Sequence, residues 1–181
     1  AVSHLVELGH EDIGFFNYAL EVFEAGYGPA VRVAQAFERI TQEMGVRGVA
    51  RFCHAYAQAG YAAFNALLDE YPEITAIAVM NERSVPGILQ AIDDRGWCVP
   101  DDISLILLVS SRQVAEMSMP PLTTLAPPAA ELGKLGVELL VQQLDGRSVS
   151  AGQTLLPCHL VVGESTGVRR QHLHEQNALL R

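Results

Sequence analysis

Two hydrophobic periodicities alternate along this chain of 181 residues. Apolar side chains at every third or fourth position predict helices, over residues 29–44, 57–69, 84–95 and 129–144. Short apolar runs bounded by turn residues predict buried strands, at residues 13–18, 49–52, 74–80, 103–109 and 155–162. Residues 1–8 have the pattern of a helix end, with Gly9 as its cap. Strands that alternate with helices predict an α/β fold, a parallel sheet with helices on both faces.

Composition and charge narrow the functions open to this chain. Hydrophobic residues make up 49% of it and charged residues 18%, which is typical of a globular protein. The net charge of −9 argues against a broad electrostatic contact with nucleic acid, so any DNA binding must come from a part outside this chain. No apolar run reaches the ~18 residues of a membrane span, and nothing at the start is typical of a signal peptide. Three scattered cysteines suggest buried thiols in a reducing compartment, so we expect a cytoplasmic protein without membrane contact.

The most informative motifs lie in the middle of the chain. In VPDDIS (residues 99–104), Pro100 ends a helix, the two aspartates form a turn, and Ile103 begins an apolar run. In PPLTT (residues 120–124), the two prolines interrupt the chain before a second short strand. This order of motifs resembles the effector-binding domain of the LacI/GalR family of bacterial transcription regulators.

Three further segments agree with that resemblance, and together the five cover residues 1–166 in the family's order. They are HLVELGH at residues 4–10, EITAIAVMN at residues 73–81, and the closing LP…EST between residues 156 and 166. Several motifs in a fixed order are hard to produce by chance.

The resemblance implies a fold, a division of the chain and a function. The fold is the periplasmic-binding-protein-like type I body, mainly its C-terminal lobe. Residues 1–121 would form that lobe, residues 122–150 a strand and helix that cross to an N-terminal lobe, and residues 151–166 the return strand. Residues 167–181 show no periodic pattern and are predicted to be a disordered tail. The function would be effector sensing and dimerisation, with operator DNA bound only by a headpiece absent from this chain.

Two other classes of protein stay open at this point. A periplasmic-type solute-binding protein shares the fold, although the amino-acid sequences of the VPDDIS and PPLTT motifs favour the regulator. A doubly wound enzyme is disfavoured because the sequence holds no catalytic constellation, phosphate-binding glycine loop or CxxC pair. We therefore expect no catalysis and no cofactor.

The family's ligand-binding positions carry over only in part. Asn81 matches the asparagine at a strand's carboxyl end, and Glu82 replaces the aspartate that follows it. Three other positions are apolar here: an arginine position falls on Val33, an aspartate position on Val109, and a glutamine position near Pro127. A glycine position falls on Leu107, and Arg32, one residue from Val33, points about 100° away on a helix.

A buried sugar hydroxyl left without a partner costs ~1–3 kcal/mol, so the site is not predicted to bind a common sugar. Two interpretations stay open, a regulator that binds no sugar and a regulator with an apolar or aromatic effector. In the second, Tyr18 and Tyr56 line the pocket with Asn81 and Glu82.

Other clusters of reactive residues have simpler explanations. His172, His174 and Glu175 lie in the polar tail, and His4, His10 and Glu11 surround a helix end, so no metal site is predicted. Cys53 and His54 have no recognisable third partner for nucleophilic catalysis.

The resemblance also assigns the dimer contact. It implies a homodimer formed through the helix at residues 84–95 and the loop at 110–119, which contains Met117 and Met119. The helix at 129–144 has a leucine stripe whose partner surface is not in this chain, and this offers a second reason to self-associate.

Overall fold

A computed structural model describes residues 1–146 and 153–169. Within these ranges it has seven α-helices: α1 Val2–Glu7, α2 Leu20–Glu24, α3 Gly28–Glu43, α4 Ala57–Glu70, α5 Val85–Asp94, α6 Arg112–Glu116 and α7 Ala129–Leu144. The strands are β1 Asp12–Asn17, β2 Arg47–Phe52, β3 Ala76–Val79, β4 Ser104–Leu108, β5 Thr123–Ala126 and β6 His159–Val161. A single 3-10 turn, Glu82–Ser84, precedes α5.

The described strands form one sheet in the order β2-β1-β3-β4-β5-β6. The first five are parallel, and β6 is antiparallel to β5 at the edge. The chain leaves β1 for β2 on one side and then returns to place β3 on the other side of β1. This reversal puts a topological switch point between β1 and β3, where open α/β sheets bind ligands outside the carboxyl ends of their strands.

Alternate residues of the central strands pack into two separate hydrophobic cores, one on each face of the sheet. In β3, Ile77 and Val79 belong to a core that α4 and α5 cover, whereas Ala76 and Ala78 belong to a core under α1 and α3. Period-two alternation with both sides buried is the pattern of a sheet between two helical layers. The predicted α/β fold with helices on both faces is confirmed.

Two glycines set the close packing of α4 against the segment around α5. A Cβ atom added to Gly87 would lie 1.6 Å from the carbonyl oxygen of Ala57, and one added to Gly60 would lie 2.1 Å from that of Ser84. Neither distance is possible for real atoms, so only glycine allows the two backbones to meet at these points.

The amino ends of the strands are joined by a buried polar network. His10 is 2% exposed; its Nδ1 lies 2.8 Å from Thr75 Oγ1, and its Nε2 lies 3.0 Å from Ser104 Oγ and 3.1 Å from the carbonyl oxygen of Gly167. Because that carbonyl only accepts, Nε2 carries the proton and Nδ1 accepts from Thr75. Thr166 Oγ1 lies 2.9 Å from His4 Nε2. The HLVELGH motif at residues 4–10 and the closing EST motif at residues 164–166 therefore contact each other.

The structure differs from the sequence-based prediction at several boundaries. Tyr18 and Val109 lie outside β1 and β4, the predicted loop at 110–119 contains helix α6, and α2 was not predicted. The final strand is much shorter than residues 155–162. β5 pairs with β4, so this sheet continues past the lobe boundary predicted at residue 121.

Residues 167–169, predicted from the sequence to belong to a disordered tail, include contacts to the end of α1 and the segment after it. The backbone amide of Arg169 donates to the carbonyl of Leu8, and its guanidinium pairs with Glu11 at 2.6 Å. These contacts dock residues 167–169 on the end of α1. The rest of the predicted tail lies outside the described residues, as does the cluster of His172, His174 and Glu175.

Helix α7 has the bounds predicted from its leucine spacing, and it has no buried residue. Its large apolar side chains are exposed or half-buried, among them Leu132, Leu140 and Leu144. The packing of this helix on a further lobe stays a prediction.

Candidate functional site

Polar side chains lie at the carboxyl ends of β1, β3 and β4, around the switch point. Asn17 ends β1, and its Nδ2 donates to the carbonyl of Ala30 at the start of α3. Asn81 follows β3, and its Oδ1 accepts from the backbone amide of Arg83 at 3.0 Å. The Nδ2 group of Asn81 is then the part of its amide that is suited to donate to a ligand.

Glu82 is held in place by Ser110, a residue that was not predicted from the sequence to belong to the site. Ser110 lies just beyond β4, is 3% exposed, and donates its hydroxyl to Glu82 Oε2 at 2.6 Å. This is the distance expected of a charge-assisted O–H···O⁻ bond. The bond joins the carboxyl ends of two neighbouring strands. Its sequence signal was only that a small hydroxyl residue directly follows a buried strand.

Val109 has a backbone conformation that is rare for its residue type. Its φ is +60°, and its side chain is 48% exposed. A β-branched residue in the left-handed region is strained, and such strain is concentrated at functional sites. The neighbouring Leu108 and Ser110 are both buried, so the Val109 conformation accompanies the burial of Ser110 next to Glu82.

Tyr18 lies beside Glu82 at this edge. Its ring contacts that of Tyr27 edge to face, with 5.4 Å between the centroids. Burial raises the pKa of the Tyr18 phenol above its ordinary value, and the nearby Tyr27 and the charge of Glu82 raise it further. Tyr18 was predicted from the sequence, whereas Tyr27, in the short connection between α2 and α3, has no periodic signal that could have identified it.

Tyr56 belongs to a second aromatic group at the same edge of the sheet. It is 52% exposed and stacks on His54, with 5.7 Å between the ring centroids. His54 Nδ1 lies 3.3 Å from Glu21 on α2, and Phe23 of α2 packs against Phe52 at the end of β2. These contacts hold the short helix α2 beside the end of β2. We therefore count His54 and Phe52 among the candidate site's surroundings.

The apolar replacements identified in the sequence have different environments. Val33 is half-buried and packs against the core under α3, and Leu107 is fully buried within β4. The guanidinium of Arg32 lies against the backbone of Gly28 in the first turn of its own helix. Of the polar groups that the family places here, Asn81 and Glu82 are the ones that this chain brings to the carboxyl edge.

The opposite edge of the sheet carries an open groove of about 500 Å³ between the ends of α1 and α3. Charged residues on its wall already form ion pairs: Arg47 pairs with Asp12 and Glu73, and Glu11 pairs with Arg169. Within residues 1–146 and 153–169, no group of three metal-ligating side chains is close enough to hold a metal ion.

A doubly wound lobe with polar and aromatic groups at its switch point defines a ligand-binding body. The chain matches the model of the periplasmic binding protein-like domain over residues 2–166. It belongs to this family, and its relatives place it with the LacI-type transcriptional regulators.

Three similar proteins illustrate this. The chain is 31% identical over 166 residues to the HTH-type transcriptional repressor CytR of Escherichia coli K12, covering 92% of this chain and 48% of CytR. A LacI family transcriptional regulator from Bifidobacterium animalis superposes with a TM-score of 0.81 at 27% identity, over 92% of this chain and 59% of that one. The dimeric Lac repressor with an 11-residue C-terminal deletion gives a TM-score of 0.78 at 29% identity, over 93% and 60%. The chain thus spans about half the length of the curated relatives it matches.

Proposed function

We propose that this chain is the effector-sensing and dimerisation part of a LacI/GalR-type transcriptional regulator. The observation that carries the proposal is the placement of Asn81, Glu82 and Tyr18 at the switch point of a lobe that resembles these regulators over 92% of its length. Effector binding at this edge would favour one of two arrangements of the whole regulator and so change its affinity for operator DNA.

DNA binding is assigned to a headpiece outside this chain. The chain carries a net charge of −9, and a protein that holds DNA through its phosphates needs a basic surface. We place the regulator in the cytoplasm and assign it no catalysis and no cofactor. None of the helices in the described ranges combines the length and hydropathy that crossing a membrane requires. The similar proteins named above are regulators, which weighs against a periplasmic-type solute-binding protein.

The proposed effector is a molecule with an apolar or aromatic body, not a common sugar. Val33 packs in the core and Val109 presents an apolar side chain at the edge, so two groups that would bind hydroxyls are absent. Aromatic side chains replace them, with Tyr18 and Tyr27 on one side of the edge and Tyr56 on the other. An aromatic surface favours flat apolar groups, and its ring faces offer no directional hydrogen bonds to orient sugar hydroxyls.

The proposed homodimer uses the segment after β4 together with α5. Met117 is 84% exposed and Met119 is 87% exposed, although both are large apolar residues. They follow α6 at the surface, and exposed methionines offer an adaptable contact. The similarity to the dimeric Lac repressor supports a dimer.

Site-resolved NMR tests the sensing role. A metabolite library that includes sugars, aromatic acids and amines is added to the labelled chain, and backbone amide shifts are followed. We expect shifts centred on Tyr18, Asn81, Glu82 and Ser110. Shifts confined to other surfaces, or none with any compound, would reject this site.

Sedimentation tests the dimer. We expect the chain to sediment as a dimer at micromolar concentration, and Met119→Glu to give a monomer near the chain mass of 19.6 kDa. Leu140→Glu on the exposed face of α7 is the matched control. If only that control abolished association, α7 and not the Met117–Met119 segment would be the contact. A monomeric wild-type chain would end the dimer proposal.

A further inference from the structure

Glu82 differs from the other carboxylates of the described chain in how it is held. A buried hydroxyl, Ser110, fixes one carboxylate oxygen, and this contact joins the carboxyl ends of β3 and β4, next to the switch point, rather than lying on an outer helix face. Among the ion pairs within the described residues, none includes Glu82, and this holds also for the adjacent Arg83. The structure thus presents a positioned anion at an edge where a ligand is expected.

The second carboxylate oxygen is suited to a donor from a ligand. An ionised carboxylate accepts at about four positions, and Ser110 occupies one of them. A bond to a charged donor is roughly twice as strong as one between neutral groups. Two basic side chains at this edge are placed elsewhere, because His54 Nδ1 lies 3.3 Å from Glu21 and the Arg32 guanidinium lies next to Gly28.

The surroundings of Glu82 also favour a positive charge. Tyr18 lies near Glu82, its ring meets that of Tyr27 edge to face, and the faces of such rings attract cations. The net charge of −9 raises the local concentration of cations over the whole surface. A neutral sugar gains from neither of these effects.

We propose that Glu82, positioned by Ser110, selects an effector that carries a protonated amine on an aromatic or apolar body. This inference rests on the proposed effector-sensing function and names the chemical class that the site would sense. Ser110 acts as a positioning residue: it holds the carboxylate at the ends of β3 and β4 and does not itself contact the effector.

The test uses three small probes on the labelled chain at neutral pH. Tyramine carries a phenol ring and a protonated amine, 4-ethylphenol has the same ring without the amine, and ribose represents sugars. Amide shifts of Tyr18, Glu82 and Ser110 give site-specific dissociation constants even in the millimolar range. We expect tyramine to bind at least tenfold more tightly than 4-ethylphenol, ribose to bind more weakly than both, and added salt to weaken tyramine.

Variants separate charge from positioning. Glu82→Gln keeps an acceptor for Ser110 but removes the charge. We expect it to weaken the binding of tyramine about ten- to a hundredfold and to leave the binding of 4-ethylphenol unchanged. Ser110→Ala should weaken the binding of tyramine by a smaller factor than Glu82→Gln does, and Ser110→Thr should restore the wild-type affinity. Glu38→Gln, an exposed carboxylate on α3, removes the same charge elsewhere and should change binding by less than twofold.

The outcomes distinguish this inference from the function on which it rests. Equal binding of tyramine and 4-ethylphenol, or no effect of Glu82→Gln, would overturn the amine selectivity and leave effector sensing intact. If ribose bound more tightly than tyramine, both the proposed selectivity for an amine and the proposed exclusion of sugars would be overturned. If no probe or library compound shifted the amides of this edge, the sensing function itself would fail.

Discussion

The amino and carboxyl edges of the parallel sheet are built from similar residue types but in opposite ways. At the amino edge, His10 is buried and each of its ring nitrogens has a hydrogen-bond partner. At the carboxyl edge, His54 and Tyr56 are exposed, and Val109 is held in a strained conformation. We infer that the first edge stabilises the lobe, whereas the second keeps polar and aromatic groups available at some cost in stability.

The largest expected difference between the two edges comes from their histidines. His10→Ala leaves Thr75, Ser104 and the carbonyl of Gly167 without their buried partner. Unsatisfied groups and a new cavity together should lower the free energy of unfolding by about 3–5 kcal/mol. His54→Ala, at an exposed position, should change it by about 0.5 kcal/mol or less. Urea unfolding monitored by circular dichroism measures both, and equal effects would remove the contrast between the edges.

Acid should weaken the amino edge. Burial lowers the pKa of His10 below its ordinary value of 6.5; the hydrogen bond to the Gly167 carbonyl opposes this shift, and the positive charge of nearby Arg169 adds to it. As the pH is lowered below about 6.5, this histidine becomes protonated in the unfolded chain but not in the folded chain. The free energy of unfolding therefore decreases as the pH decreases, until the pKa of the folded state is reached. The loss from this group cannot exceed about 1.4 kcal/mol per pH unit.

Unfolding at neutral pH and at about pH 5, with NMR titration of the His10 ring, measures this loss. A His10 pKa at or above 6.5 in the folded protein would contradict the prediction. So would a free energy of unfolding that is no lower at about pH 5 than at neutral pH.

Relief of strain should stabilise the carboxyl edge. Val109→Asn replaces a β-branched residue by one that tolerates a φ of +60°, and the exposed valine loses little burial. We expect the free energy of unfolding to rise by about 1 kcal/mol. Val109→Thr keeps the β-branch and serves as the control with no gain. Thermal unfolding decides between them, and a destabilised Asn variant would show that Val109 is not strained.

The smallest expected effect concerns Tyr56, the residue that precedes α4. It occupies the N-cap position but forms no capping hydrogen bond with its side chain. Tyr56→Ser supplies a capping hydroxyl and should raise the free energy of unfolding by about 0.5 kcal/mol, whereas Tyr56→Ala should not. A clear loss of stability with Ser would mean that the tyrosine contributes to folding, and the proposed division between the edges would need revision.

Local signals in the sequence predicted most of the fold. The leucine spacing gave the bounds of α7, and the alternating apolar runs gave the parallel sheet and its two helical layers. Local signals could not predict α2, which is too short for a periodic pattern, or the φ of Val109. Asn81 and Glu82 were assigned through the family resemblance, which marks the positions directly after this strand as ligand-binding. The partnership of Glu82 with Ser110 could not be predicted, because 28 residues separate the two.

The His10 network also bears on how the lobe is made during synthesis. The partners of His10 lie 65, 94 and 157 residues further along the chain, and His4 and Thr166 are 162 residues apart. Contacts of such long range form late and slow the folding of a domain. On the ribosome, β1 to β5 would emerge and pair while one end of the sheet still lacked its last segment. We expect the nascent lobe to stay labile to proteases until residues 163–169 leave the exit tunnel and dock.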